Sequence, residues 1–179
     1  MFSRLLASAA AMSLAATMIA TPALSVGDGG GSSDPVCTGG KVWDKQAGKC
    51  VEQSSSLDTD SIYETGRALA QAGRYGDAIT VLSLAADRGD PRVLNYLGFS
   101  HRMQGRVLVG LGYYREALRI DPDYTLVRAY LGEAYLQMGD LAAARGELGE
   151  IAARCGTECA EYAHLQTRIA ARSTARPTL

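Results

Sequence analysis

The chain has 179 residues, 47% hydrophobic and 21% charged, which suits one packed domain rather than two. Its 18 Lys and Arg balance 19 Asp and Glu for a formal charge of −1, and this excludes nucleic acid as a partner class, since phosphate binding needs a basic surplus. Twenty Gly against two Phe and one Trp point to helices that approach closely through small side chains.

Met1 to Arg4 is a short basic start, followed by an uncharged Ala/Leu/Met run from Leu5 to Ala20. Ala23 and Ser25 put small residues at the −3 and −1 positions of a cut after Ser25, so residues 1–25 read as a secretory signal peptide. The apolar run is shorter than the roughly 20 residues that cross a bilayer. The expectation is therefore a periplasmic or secreted chain without stable membrane insertion after cleavage. Gly27 to Asp34 reads as a flexible linker, and Ser54-Ser55-Ser56 as a second break, within a span of 26–57 that precedes the folded body.

Between those breaks, Cys37 and Cys50 enclose Gly39-Gly40, Val42-Trp43 and Gly48. So short a segment buries little surface, and the sequence predicts a mini-loop held by a disulfide worth about 3 kcal/mol in the chain-entropy picture. Cys155 and Cys159 lie four apart, a separation a disulfide can span on a helix or tight turn. Export favours structural disulfides for both pairs. The alternative for Cys155 and Cys159 is thiol or metal handling, with Thr157 capping a helix from Glu158 and the helix dipole activating Cys159. Glu158 and Glu161 oppose thiolate formation there, and the spacing is C-x-x-x-C rather than the oxidoreductase C-x-x-C.

From Asp58 onward apolar and small residues recur at helical spacing with Gly at element ends, so the body reads as all-α. Gly66, Gly98 and Gly132 are separated by 32 and 34 residues, and the columns Gly73, Gly105, Gly139 and Ala78, Gly110, Ala144 repeat the same intervals. The first column lets neighbouring helices approach, the second ends a helix A, and the third lets helix B pack on helix A. Each unit is a helix-turn-helix.

These residues resemble the tetratricopeptide repeat. The middle unit carries Leu97-Gly98, Gly110, Tyr114, Ala117-Leu118 and Asp121-Pro122, and the third carries Leu131-Gly132, Tyr135, Gly139 and Ala144, with Ile151 where Ala is expected. The first has Gly66, Gly73, Ala78 and Ala85, and its link to the next unit is two residues short, as in Sel1-like relatives of the repeat. The resemblance implies three such units and a C-terminal capping helix over Glu158 to Arg172, with Tyr162, Leu165 and Ile169 on its apolar stripe, inside a domain at 58–172 followed by a disordered tail at 173–179. It describes a small exported repeat scaffold.

The resemblance also implies a concave groove lined by the first helix of each unit. Transferring its register gives Tyr63 and Arg67, then Asn95, Phe99 and Arg102, then Ala129, Glu133 and Gln137. Exposed aromatics flanked by Arg and Asn suit a protein or peptide partner of the cell envelope. Of the carboxylate clamp found in chaperone adaptors, only Asn95 has a counterpart. Catalytic chemistry has no footing. Gly110-x-Gly112 lacks the third Gly and the acidic partner of a dinucleotide fingerprint, and two Gly inside one helix predict a soft or bent helix B. His101 and His164 are too far apart for a zinc site with the cysteines, and His101 falls on an aromatic position of the repeat, where a packed, partly buried ring is expected. No cofactor is implied. A further alternative is glycan or cell-wall binding through Trp43 on an exposed loop.

Overall fold

The computed structural model describes residues 35, 37–54 and 56–174; the expected signal peptide, the expected Gly27–Asp34 linker and the last five residues lie outside this range. A two-stranded antiparallel hairpin comes first, β1 (Val42–Asp44) paired with β2 (Lys49–Val51). Seven α-helices follow among the described residues: α1 (Thr59–Gln71), α2 (Tyr75–Leu82), α3 (Pro91–Met103), α4 (Val107–Ile120), α5 (Thr125–Gln137), α6 (Leu141–Cys155) and α7 (Ala160–Thr174). None of them is long and apolar enough to cross a membrane.

Helix starts follow local chemistry. The Asp58 carboxylate accepts from the Ser61 N–H at 2.8 Å, and the Asp90 carboxylate accepts from the Arg92 N–H at 2.8 Å with Pro91 in the first helical position. The Gly73, Gly105 and Gly139 column ends α1, α3 and α5 as expected. Gly105, at φ +80°, donates to the Arg102 carbonyl while Arg106 donates to the His101 carbonyl, a Schellman closure that needs a left-handed residue. The same pair of hydrogen bonds closes α1 and α5.

The Gly66, Gly98 and Gly132 column marks close approach. A Cβ on Gly98 would sit 2.6 Å from the Tyr114 ring of α4, one on Gly66 2.3 Å from Leu82 of α2, and one on Gly132 2.6 Å from Leu165 of α7. Gly110 packs its bare Cα against the Gly98 carbonyl, 2.8 Å from where a Cβ would be. Helix α4, where two glycines were expected to soften or bend the helix, runs without a break from Val107 to Ile120, and Gly110 lies against Gly98 and Arg102 of α3.

Three core clusters run along the stack, one shared by α1, α2 and α3, one by α3, α4 and α5, and one by α5, α6 and α7. The short first link has a clear cause. Helix α2 spans 8 residues against 14 in α4 and 15 in α6, and a 3-10 turn at Ser83–Ala85 returns the chain to α3. The capping helix begins two residues later than expected and reaches Thr174, inside the span assigned to the tail. Thr157 does not cap it; its hydroxyl donates to the Glu158 carboxylate at 3.4 Å. Leu165 follows Leu131 by 34 residues, as Leu131 follows Leu97, so α7 takes the place of another first helix in the stack.

The Cys37–Cys50 segment is held by its disulfide as expected, and it is more than a loop. It forms the hairpin, and Val42 is fully buried in the first core cluster with Leu57 and Ile62. The Trp43 N–H donates to Thr65 Oγ1 at 3.2 Å and the Lys45 N–H to Ser61 Oγ at 3.0 Å, so β1 is bonded to the side of α1. The segment cannot build a core of its own and borrows that of α1. At the other end a second disulfide, Cys155–Cys159, spans the turn between α6 and α7.

Candidate functional site

The first helices of the units, α1, α3 and α5, carry the residues expected to line the groove, and most of these are buried. Tyr63, Arg67, Asn95, Arg102, Ala129 and Glu133 are all less than a tenth exposed, Phe99 is half-buried, and of this set only Gln137 is exposed. The expected exposed Tyr and Phe are therefore corrected. Their rings fill the space between the inner helices by packing on one another. Tyr63 meets Tyr96 at 5.9 Å, Tyr96 meets Phe99 at 6.1 Å, and Phe99 meets Tyr75 at 5.9 Å and Tyr130 at 5.1 Å, so an aromatic run passes along the stack. Arg92 lies over Tyr63, 4.7 Å from the ring centre, and also pairs with Asp60 and Asp90, which hold its guanidinium pKa well above the usual value. Arg67 pairs with Glu64 on its own helix at 3.3 Å.

Arg102 is the hub of the second half. Its guanidinium sits 5.5 Å from the Phe99 ring centre and 5.8 Å from that of Tyr130, donates through Nε to the Tyr114 hydroxyl at 3.3 Å and bridges to Glu133 at 2.7 Å. Glu133 also bonds His164 of α7 and faces Arg168 at 3.9 Å. Burial favours the protonated form of Glu133, but the His164 hydrogen bond and the charges of Arg102, His164 and Arg168 outweigh it and hold the carboxyl below its ordinary range. Burial pushes the Tyr114 hydroxyl up to about 12, against the opposing effect of Arg102, so it stays protonated.

Beside this network the ends of α3, α5 and α7 leave a cleft of about 320 Å³. Arg102, Glu133 and Gln137 from the expected set come together there, with Leu136, Ala171, Arg168 and Arg172 completing the wall. Tyr63, Arg67, Asn95, Phe99 and Ala129 are not in its wall. Arg168 and Arg172 were not among the expected site residues. The 34-residue step from Leu131 to Leu165 is the signal that could have placed α7 beside α5 and exposed their role.

All four cysteines are paired, and although the Cys155, Cys159 and Glu161 ligand atoms lie within 4.8 Å of one another, the thiols are bonded to each other. Trp43 is half-buried on a hairpin docked to α1 rather than displayed on an exposed loop. His101 is partly buried as expected, its ring stacked 5.4 Å from Tyr113. Burial first, then the nearby Arg106 charge, lower its pKa.

Comparison with curated protein sequences gives no match. Among solved structures, the type III secretion chaperone SycD of Yersinia enterocolitica, in complex with a peptide of the translocator YopD, is 24% identical with a TM-score of 0.55, over 65% of this chain and 89% of that one. PcrH in complex with the chaperone binding region of PopB is 26% identical with a TM-score of 0.54, over 64% and 93%. The first repeat domain of Spaghetti, bound to the HSP90 peptide SRMEEVD, is 16% identical with a TM-score of 0.57, over 68% and 97%. Two tetratricopeptide repeat family models match residues 63–125 and 101–169, and together they run from within α1 into α7. The chain belongs to the tetratricopeptide repeat family.

Proposed function

We propose that the protein is an exported, non-catalytic scaffold that holds a segment of another protein on the face formed by its inner helices. The observation that carries this reading is the half-buried Phe99, set at the centre of the aromatic run with the Arg102 guanidinium against it and an open cleft alongside. Such a place offers a rigid apolar anchor next to directed hydrogen-bond donors, the combination on which peptide affinity concentrates. The fold is shared with structures solved around bound peptides, which supports the reading. A signal-like first 25 residues and two cysteine pairs, both joined, support export to an oxidising compartment and a partner in the cell envelope.

The test uses a photoreactive benzoylphenylalanine placed at Gln137 in the cleft or at Leu108 on the outer helix α4, both exposed positions. Irradiation in cells is expected to give discrete protein adducts from position 137 and none from 108. Equal labelling at the two positions would refute the inner face as the binding surface. Fractionation with N-terminal sequencing tests export: the expected mature chain begins at Val26, and a cytoplasmic chain with its first 25 residues intact would remove that part of the proposal.

A further inference from the structure

The cleft between α3, α5 and α7 carries a charge imbalance on a nearly neutral protein. Arg102, Arg168 and Arg172 line it against a single carboxylate, Glu133. Arg102 spends two of its donors on Glu133 and Tyr114. Arg168 is 59% exposed and its nearest carboxylate is at 3.9 Å, while Arg172 is exposed and makes no ion pair among the described residues. Arg168 and Arg172 are one turn apart on α7, a like-charge spacing that disfavours the helix unless an anion lies between them. Leu136 and Ala171 add an apolar wall that accepts methylene groups but offers nothing to a strongly hydrated ion.

We infer that this cleft takes the side-chain carboxylate of an acidic residue in a bound peptide, adjacent in sequence to an apolar residue seated at Phe99. The adjacency follows from Arg102, which lines the cleft and also lies 5.5 Å over the Phe99 ring, so the two subsites share one side chain. Guanidinium groups bind carboxylates through paired, directed hydrogen bonds, and a cleft of about 320 Å³ holds an Asp or Glu side chain with its backbone passing outside. This inference rests on the peptide-binding reading and narrows the class of peptide.

The experiment measures fluorescence anisotropy of the full mature chain with two labelled peptides, Gly-Ser-Gly-Leu-Glu-Phe-Asp-Gly-Ser-Gly and its counterpart with Gln and Asn for Glu and Asp. The acidic peptide is expected to bind about tenfold tighter, and Arg168→Gln with Arg172→Glu to erase that difference. Both substitutions are on exposed positions of α7, and circular dichroism checks that the fold is kept. Phe99→Leu, which keeps an apolar side chain of smaller volume and removes the ring, is expected to weaken both peptides alike. If both peptides bind equally and the arginine variant changes nothing, the carboxylate assignment is overturned while the groove reading stands. If neither peptide binds, both fall. If sodium phosphate at matched ionic strength displaces the acidic peptide completely, the cleft is a site for a free anion and the peptide assignment is overturned.

Discussion

Replacing Gly98 by Ala sets two known effects against each other. In a helix interior the exchange gains about 1 kcal/mol from backbone entropy and propensity. Here the new methyl would lie 2.6 and 2.8 Å from two carbons of the Tyr114 ring and 3.1 Å from the Gly110 carbonyl. Tyr114 is fully buried and its hydroxyl accepts from Arg102, so the ring has no open side to move toward. Overpacking of this kind costs about 1–3 kcal/mol; with the ring held in place the upper part of that range applies, about 2–3 kcal/mol, and a net loss of about 1 to 2 kcal/mol is expected. Gly112, in the same repeat, is the control: nothing lies within 4 Å of its added methyl, so Gly112→Ala keeps the propensity gain of about 1 kcal/mol unopposed. Thermal melting followed by circular dichroism should show G98A lowered by roughly 3 to 8 °C and G112A raised by roughly 3 to 4 °C. A G98A protein that melts higher than wild type would refute the close approach of α3 and α4. The displaced Tyr114 also supports Arg102, so G98A is expected to weaken peptide binding as well.

Glu133→Gln should cost about 2 kcal/mol in urea unfolding, because it leaves Arg102 buried with a neutral partner. The depressed pKa of Glu133 means its charge stabilises the fold above the unfolded-state value near 4.5, and that stabilisation is lost as pH falls through the lower folded value. The acid side of the stability profile should accordingly be shallower in E133Q, and identical profiles would deny the network its role. Val42→Ala should cost about 2 kcal/mol and release the hairpin, read as new hydrogen exchange at the Trp43 and Lys45 amides. Replacing Cys155 and Cys159 by Ser should cost about 2 kcal/mol, less than the roughly 3 kcal/mol expected for Cys37 and Cys50, since the closed loop is shorter.

The repeat architecture was legible because its physical cause is local: a residue with no Cβ is needed where a neighbouring helix presses closely, and Gly66, Gly98 and Gly132 mark the places where Leu82, Tyr114 with the Gly110 backbone, and Leu165 do so. Helix ends were legible for the same reason, through Gly73, Gly105 and Gly139. The site was legible only in part. Register places Tyr63, Asn95 and Glu133 on inner helices correctly, yet whether an inner side chain meets solvent or a neighbour depends on how tightly the helices close, which no single helix encodes. Packing of aromatic rings across units and the arrival of α7 over Glu133 decide it. Arg168 lay hidden because its value comes from a helix beside it in space and 31 or more residues away in sequence. The hairpin was missed since its pairing is only three residues per strand and its stability is lent by α1.

Both covalent links join cysteines that are consecutive in the chain, the first to the second and the third to the fourth. Four cysteines allow three pairings, and under the proposed export this is the one obtained when an oxidising enzyme joins thiols in the order they emerge from a translocation channel. The first bond can form before any helix has been delivered, and the second closes only on the final turn of the array. Under the proposed export, maturation would call for an oxidase and no isomerase, and cells lacking disulfide-shuffling activity should accumulate the protein in its native form.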